Sequence, residues 1–206
     1  MKLRSKMAVL LSAFALLAPI AQAAQLQSQN LKQLIADSES IISGQVQSVT
    51  DGISEQGLPY TEVTIKVGEA ALGNHAEGSE YTFRQFGLLK PRTLANGNKM
   101  LALSPEGFPR WNQDEVVVVF MHKAASLTGL RSTAGLANGK FVLQGGKVVN
   151  EFNNQGIFDN LEFAEGTLTQ SEQTMVDTQG AYSAPAFMSL LGKAVSEQWI
   201  SNGKMK

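Results

Sequence analysis

A chain of 206 residues with 17 Lys and Arg, 18 Asp and Glu and no cysteine is long enough to bury one ordinary core without covalent staples. The missing cysteines exclude disulfides, thiolate nucleophiles, cysteine-ligated zinc and a lipidated cysteine. A formal charge of −1 at pH 7, with no basic run after the first residues, gives no electrostatic footprint for nucleic acid or an anionic membrane.

The first 23 residues read as a Sec-type export signal. Lys2, Arg4 and Lys6 form a basic start, Met7 to Ile20 an apolar core, and Ala21-Gln22-Ala23 a small-x-small cleavage motif. That core is shorter than the roughly 20 residues a membrane span needs, and Pro19 sits at its end. Cleavage is expected after Ala23, with the product periplasmic or secreted and no stable membrane insertion. Removing three cations with the leader leaves 14 basic and 18 acidic side chains.

Ala24 to Asn30 is polar. Leu31 to Ser38 predicts a short helix, with Asn30 as cap and Leu31, Leu34 and Ile35 on one face. The stretch from Ile41 to Phe86 then predicts three strands. In Tyr60 to Glu69, Val63, Ile65 and Val67 alternate with Glu62, Thr64 and Lys66, the period of a sheet with one buried face. Ile41 to Val49 alternates until a slip at Val49, as a bulge would give. Glu80 to Phe86 alternates Tyr81 and Phe83 with Glu80, Thr82 and Arg84. Gly52, Gly57 and Pro59 in one join, and Gly73 and Gly78 in the other, mark turns too short for a crossover helix, so the three strands form an antiparallel meander.

Gly87 to Asp114 is an unusually long connection, and only Met100 to Leu103 looks strand-like. Glu115 to Met121 is an uninterrupted apolar strand, which places it centrally with both faces covered. Asn138-Gly139 and Gly145-Gly146 both signal hairpins around Lys140 to Gln144. Glu162 to Tyr182 is rich in Ser, Thr, Gln and Glu and reads as an exposed linker. Pro185 to Ser201 predicts a helix, with Ser183 as cap and a stripe of Phe187, Leu190, Leu191, Ala194 and Val195 that would extend to Trp199. The expected organisation is therefore a leader at 1–23, a β domain at 24–161, a polar linker at 162–183 and a carboxy-terminal helix at 184–203.

Familiar catalytic patterns are missing. Neither His75 nor His122 stands at metal-ligand spacing, and no G-x-S-x-G elbow points to a serine. Gly135 to Lys140 resembles a phosphate-binding loop but has three residues between its glycines where four are needed, and Phe141 stands where a hydroxyl should follow the lysine. No cofactor or metal site is expected. Two segments remain as candidate binding sites. Arg131, Ser132 and Thr133 cluster donors between Gly129 and Gly135, a pattern open to a small anion or to an edge strand with a paired arginine. Phe108, Arg110 and Trp111, with Pro109, place hot-spot residue types in the long connection. They would serve either as a contact surface or as a plug on the sheet.

Leu34-Ile35-Ala36-Asp37-Ser38, Ile42-Ser43-Gly44-Gln45-Val46, Tyr60-Thr61-Glu62-Val63-Thr64, Gly129-Leu130-Arg131-Ser132 and Gly135 to Phe141 together resemble a group of exported bacterial proteins with an oligonucleotide/oligosaccharide-binding-like (OB-like) barrel. The resemblance spans about Leu31 to Phe158. It implies a mainly β fold, a small antiparallel Greek-key barrel with a short leading helix and a trailing amphipathic helix, and it supplies no activity. Such a barrel is broadly similar to the inhibitory domain of tissue inhibitors of metalloproteinases. Those engage the metal through an amino-terminal cysteine, which this chain lacks. The function expected is a non-enzymatic interaction module for an exported protein or glycan. Two other readings stay open: a hydrolase with a dispersed site around His122 and Ser132, and a structural envelope component whose last helix packs on another molecule.

Overall fold

The computed structural model describes residues 29–206, so the expected leader at 1–23 and residues 24–28 lie outside it. The chain is mainly β, and seven strands join in one antiparallel sheet. The elements are α1 (Leu31–Ala36), β1 (Ser40–Ile53), β2 (Pro59–Leu72), β3 (Glu80–Phe86), β4 (Arg92–Thr93), β5 (Lys99–Met100), β6 (Val116–Met121), β7 (Lys140–Gln144), β8 (Lys147–Asn150), α2 (Gln170–Val176), β9 (Tyr182–Ser183) and α3 (Ala184–Ser196). The sheet order is β3-β2-β1-β6-β7-β8-β9, and β4 and β5 form a separate hairpin. The main sheet has β3 and β9 as its edges, so these strands do not form a closed ring.

The meander β1-β2-β3 forms as its alternation requires. Both long strands run past their predicted ends, to 14 residues each. The register of β1 against β2 shifts at three places, one of them between Val46 and Ser48, just before the slip in the sequence pattern. These irregularities bend β1, and its first half also pairs with β6. Gly44 lies in that bend. A Cβ there would stand 2.3 Å from the Lys66 carbonyl oxygen and 2.7 Å from a methyl of Ile65, so only glycine lets the two strands approach this closely.

Strand β6 is covered on both faces. Val117, Val119 and Met121 join Ile42, Val46, Val63, Ile65, Val67, Tyr81 and Phe83 in one core. Val118 and Phe120 face the other way, into a larger core with Leu31, Leu34, Phe141, Phe187, Leu191 and Trp199. An alternating strand serves one core, whereas this continuous apolar one serves two.

Three expectations are corrected. First, Asn138-Gly139 does not turn a hairpin. Leu136–Gly139 is a 3-10 turn, and the Asn138 amide is drawn inside to donate to the Gln29 carbonyl and to accept from Asn150. The β7-β8 hairpin turns instead at Gly145-Gly146, where φ of 56° and 77° puts both residues in the left-handed region that two-residue loops use. Second, the stretch expected as an exposed linker contains α2. Thr169 caps it and Glu172 completes a capping box. Glu172 is fully buried, and it also accepts a hydrogen bond from Ser189 and pairs with Lys193, both on α3. Third, α3 ends at Ser196, short of the predicted Ser201, and Trp199 folds back into the core, its N–H bonded to the Ala194 carbonyl. Phe187, Leu190, Leu191 and Ala194 are buried by their own chain, stacked near Phe120, Phe141 and Tyr182.

Burial acts to raise the Glu172 carboxyl, but hydrogen bonds from Lys193, Thr169 and Ser189 outweigh it and hold the group below its ordinary range. A depressed carboxylate stabilises the fold above its unfolded pKa and loses that contribution as pH falls through the folded one. Glu172→Gln should cost about 2 kcal/mol at neutral pH, the scale of a hydrogen bond to a charged group. In urea melts the gap to wild type should shrink as pH drops below the ordinary carboxylate range. A pH-independent gap would show that the charge of Glu172 does not stabilise the fold.

Candidate functional site

The long connection carries one candidate triplet, and its members diverge. Trp111 is buried at 6% exposure and seals the end of the smaller core. It meets Phe83 edge-on at 5.2 Å, and its indole N–H donates to Gln85 Oε1 at 3.2 Å. Pro109 is buried, and its carbonyl accepts from Gln85 Nε2. Arg110 is exposed, while its carbonyl accepts a hydrogen bond from Lys140 Nζ. Lys140 also pairs with Glu115 at 2.5 Å and stands 4.9 Å from the Trp111 ring centre. This one ammonium pins the plug to β7. Burial lowers its pKa, and Glu115 offsets that only in part. Burial likewise acts to raise Glu115, but hydrogen bonds from Lys140 and Asn112 bring it below the usual carboxylate range.

The second candidate group links β3 to β6. The Arg131 N–H donates to the Arg84 carbonyl on β3 at 2.8 Å, while Thr133 bridges to Met121 on β6. The Arg131 guanidinium pairs with Glu39 and donates to the Tyr81 hydroxyl and the His122 carbonyl, each at 3.3 Å. Burial works against its charge, but the Glu39 bond prevails and raises its pKa further. Thr133 is buried, and its hydroxyl donates to the Leu136 carbonyl at 2.6 Å. Two of the three donors are therefore committed within the fold, and only the Ser132 hydroxyl makes no hydrogen bond among the described residues.

Phe108, Arg131 and Ser132 nevertheless meet. They line a cavity of about 330 Å³ with Phe86, His122 and Leu130. His122 Nδ1 lies 2.8 Å from the Asp37 carbonyl, which can only accept, so the neutral ring keeps its proton there and leaves Nε2 bare. No hydrogen bond joins this ring to the Ser132 hydroxyl, and no carboxylate orients it among the described residues. The geometry lacks the nucleophile–base–orienter chain that acyl transfer uses. A different Ser–His contact, Ser40 Oγ to His75 Nε2 at 2.9 Å, pairs a buried serine, 3% exposed, with a half-buried histidine. Among the described residues no three His, Asp or Glu side chains converge as metal ligands would, and no helix is long and apolar enough to cross a membrane.

Motif reading passed over the surface in front of the plug. Leu89, Leu101 and Leu103 are exposed at 50%, 69% and 45%. Leu89 and Leu103 border a groove of about 370 Å³ whose other walls include Leu88, Pro109, Arg110 and Trp111. Between Gly87 and Trp111 stand four cations, Lys90, Arg92, Lys99 and Arg110, against the single acid Glu106. Arg92 pairs with Asp51, and the other three form no ion pair among the described residues. The charge count over this window was the signal available in the sequence, and it is diluted in the whole-chain balance.

No family model, curated protein or solved structure matches this chain. The functional reading therefore rests on the geometry.

Lys140→Ala would strand Glu115 and release the Arg110 carbonyl, at a cost of about 3 kcal/mol for breaking a buried pair. In a Trp199→Phe background, Trp111 should emit in the blue and resist quenching. Adding Lys140→Ala should shift that emission to the red. Unchanged emission would show that the plug holds without its clamp.

Proposed function

We propose that this chain is an exported binding module whose 87–112 connection docks an acidic, apolar segment of a protein partner. One observation carries the reading. Three of the five exposed large hydrophobic side chains among the described residues, Leu89, Leu101 and Leu103, lie on the one connection that is rich in cations and poor in acids. Solvated leucines around a concave groove are costly to leave uncovered, and they mark contact surfaces. The net positive charge of this connection in a net negative protein selects partners that bring carboxylates. Lys90, Lys99 and Arg110 form no ion pair among the described residues and are placed to meet them.

Other readings find less support. At this groove a glycan would need a presented aromatic face, and Trp111 is turned inward. A flat anionic bilayer would not use a groove. Packing of α3 on another molecule would need its apolar stripe free, and its own chain covers that stripe. Export is proposed from the pattern of residues 1–23. The order β6-β1-β2-β3, in which a fourth strand returns beside the first, supports a Greek-key, OB-like reading of this half. The bond from Arg131 to Arg84 narrows the gap between its edges. Fold likeness of that kind supplies no activity.

A photo-crosslinking residue at Leu101 or Leu103, expressed in the native envelope fraction, should trap a discrete protein. The same residue at Thr167 should not. Capture should weaken with salt and be lost in Lys99→Glu/Arg110→Glu, and the trapped segment should be acidic and apolar. Equal capture at both positions, capture insensitive to charge reversal, or competition by anionic lipid vesicles would each count against the proposal.

A further inference from the structure

A second cavity, of about 340 Å³, shares no lining residue with the groove. It lies between the loop after β8 and the turn that leads from α2 to β9. Its apolar walls are Ile157, Val176, Phe158 and Tyr182, with the two rings 5.1 Å apart. Its rim carries Asn153, Gln179 and Asp159, all exposed. Among the described residues these three side chains make no hydrogen bond or ion pair.

The rim is held in place from beneath. Asn150 and Asn154 are buried, and the Asn150 amide oxygen accepts from the backbone of Phe152 and Asn154. The Asn154 amide donates to the carbonyls of Val148 and Gly180, joining the two loops that form the cavity. The Tyr182 hydroxyl donates to the Asn154 carbonyl at 3.2 Å. Asn153 and Asn154 take φ of 52° and 58°, a conformation that asparagine tolerates and that fixes where the Asn153 amide stands. The cavity is thus preorganised, and its free polar groups are all on the open side.

The chemistry selects the ligand. Among the described residues no Lys, Arg or His lines the cavity, so an anion finds no partner there. Among the described residues Asp159 is its one carboxylate, too few for a divalent cation held by protein oxygens. Two planar amides and one carboxylate offer paired donors and acceptors to neighbouring hydroxyls. The half-buried ring of Phe158 offers an apolar face for C–H groups. We infer that this cavity binds a neutral saccharide ring, with hydroxyls on Asn153, Gln179 and Asp159 and one C–H face against Phe158. The volume lies within the range of small-molecule sites. This site is independent of the groove and stands or falls separately from it.

The test is protein-observed NMR on the full exported chain, titrated with N-acetylglucosamine, galactose and maltose, with glucuronate and ethanolamine as charged comparisons. At least one neutral sugar should move the amide signals of Gly156 and Gly180. Asp159→Ala and Gln179→Ala should each weaken that binding about tenfold or more while leaving the melting temperature unchanged. Asn153→Gly, which removes the amide and keeps the left-handed backbone, should do the same. Three results would overturn the inference: no response to any of these sugars at millimolar concentration, shifts that map elsewhere, or tighter binding of glucuronate or ethanolamine. Should one variant fail to fold, the other two decide, because each side chain lies on the exposed rim.

Discussion

Strand β6 has no polar face, and the architecture follows from covering it twice. Four valines, phenylalanine and methionine in sequence would be insoluble at an edge or on a one-sided sheet, even with Glu115 just before them. The long, bent β1 and the meander it begins wrap one face. The helices α1 and α3, with Phe141 on β7, cover the other. Removing apolar area from water stabilises by about 25 cal/mol per Å², and β6 contributes on both sides at once. The bend in β1 is what allows this, and Gly44 is the residue that makes the bend sterically open.

Neither core draws on the connection between β3 and β6 beyond one anchor, Trp111. That leaves most of a long segment, including the short β4-β5 hairpin, to be shaped by something other than packing. Leu89, Leu101 and Leu103 face water, and three of its four cations form no ion pair among the described residues, an arrangement that favours contact with another molecule. Lys140 connects the two roles. It is held inside by Glu115 and the Arg110 carbonyl, so it fixes the base of the surface that Arg110 and the leucines present.

Much of the fold was legible because the period-2 pattern of the meander and the continuous run of β6 are direct imprints of one-sided and two-sided burial. The errors came where polar residues found partners that sequence spacing does not reveal. Asn138 looked like a turn residue, yet its amide satisfies buried groups of Gln29 and Asn150, a contact across the fold. Glu172 looked like part of a solvated tract. Its capping-box spacing from Thr169 was visible, but its buried pairing with Lys193 depends on how α2 meets α3. The candidate sites show the same division. Aromatic and arginine content located the connection, while which of Phe108, Arg110 and Trp111 turns inward was decided by the room left beside Phe83 and Gln85. The rim of Asn153, Gln179 and Asp159 had no signal at all, because two loops distant in sequence bring it together.

The central claim is that two cores share β6 and so form one cooperative unit. Native-state hydrogen exchange tests it most directly. The account predicts that the amides of β6, of the first half of β1 and of the middle of α3 all exchange through the same global opening, with one free energy that responds equally to denaturant. Exchange of α3 through a separate, lower-energy opening while β1 and β6 stay protected would contradict it, and would make the helical layer an attachment to an independently stable sheet.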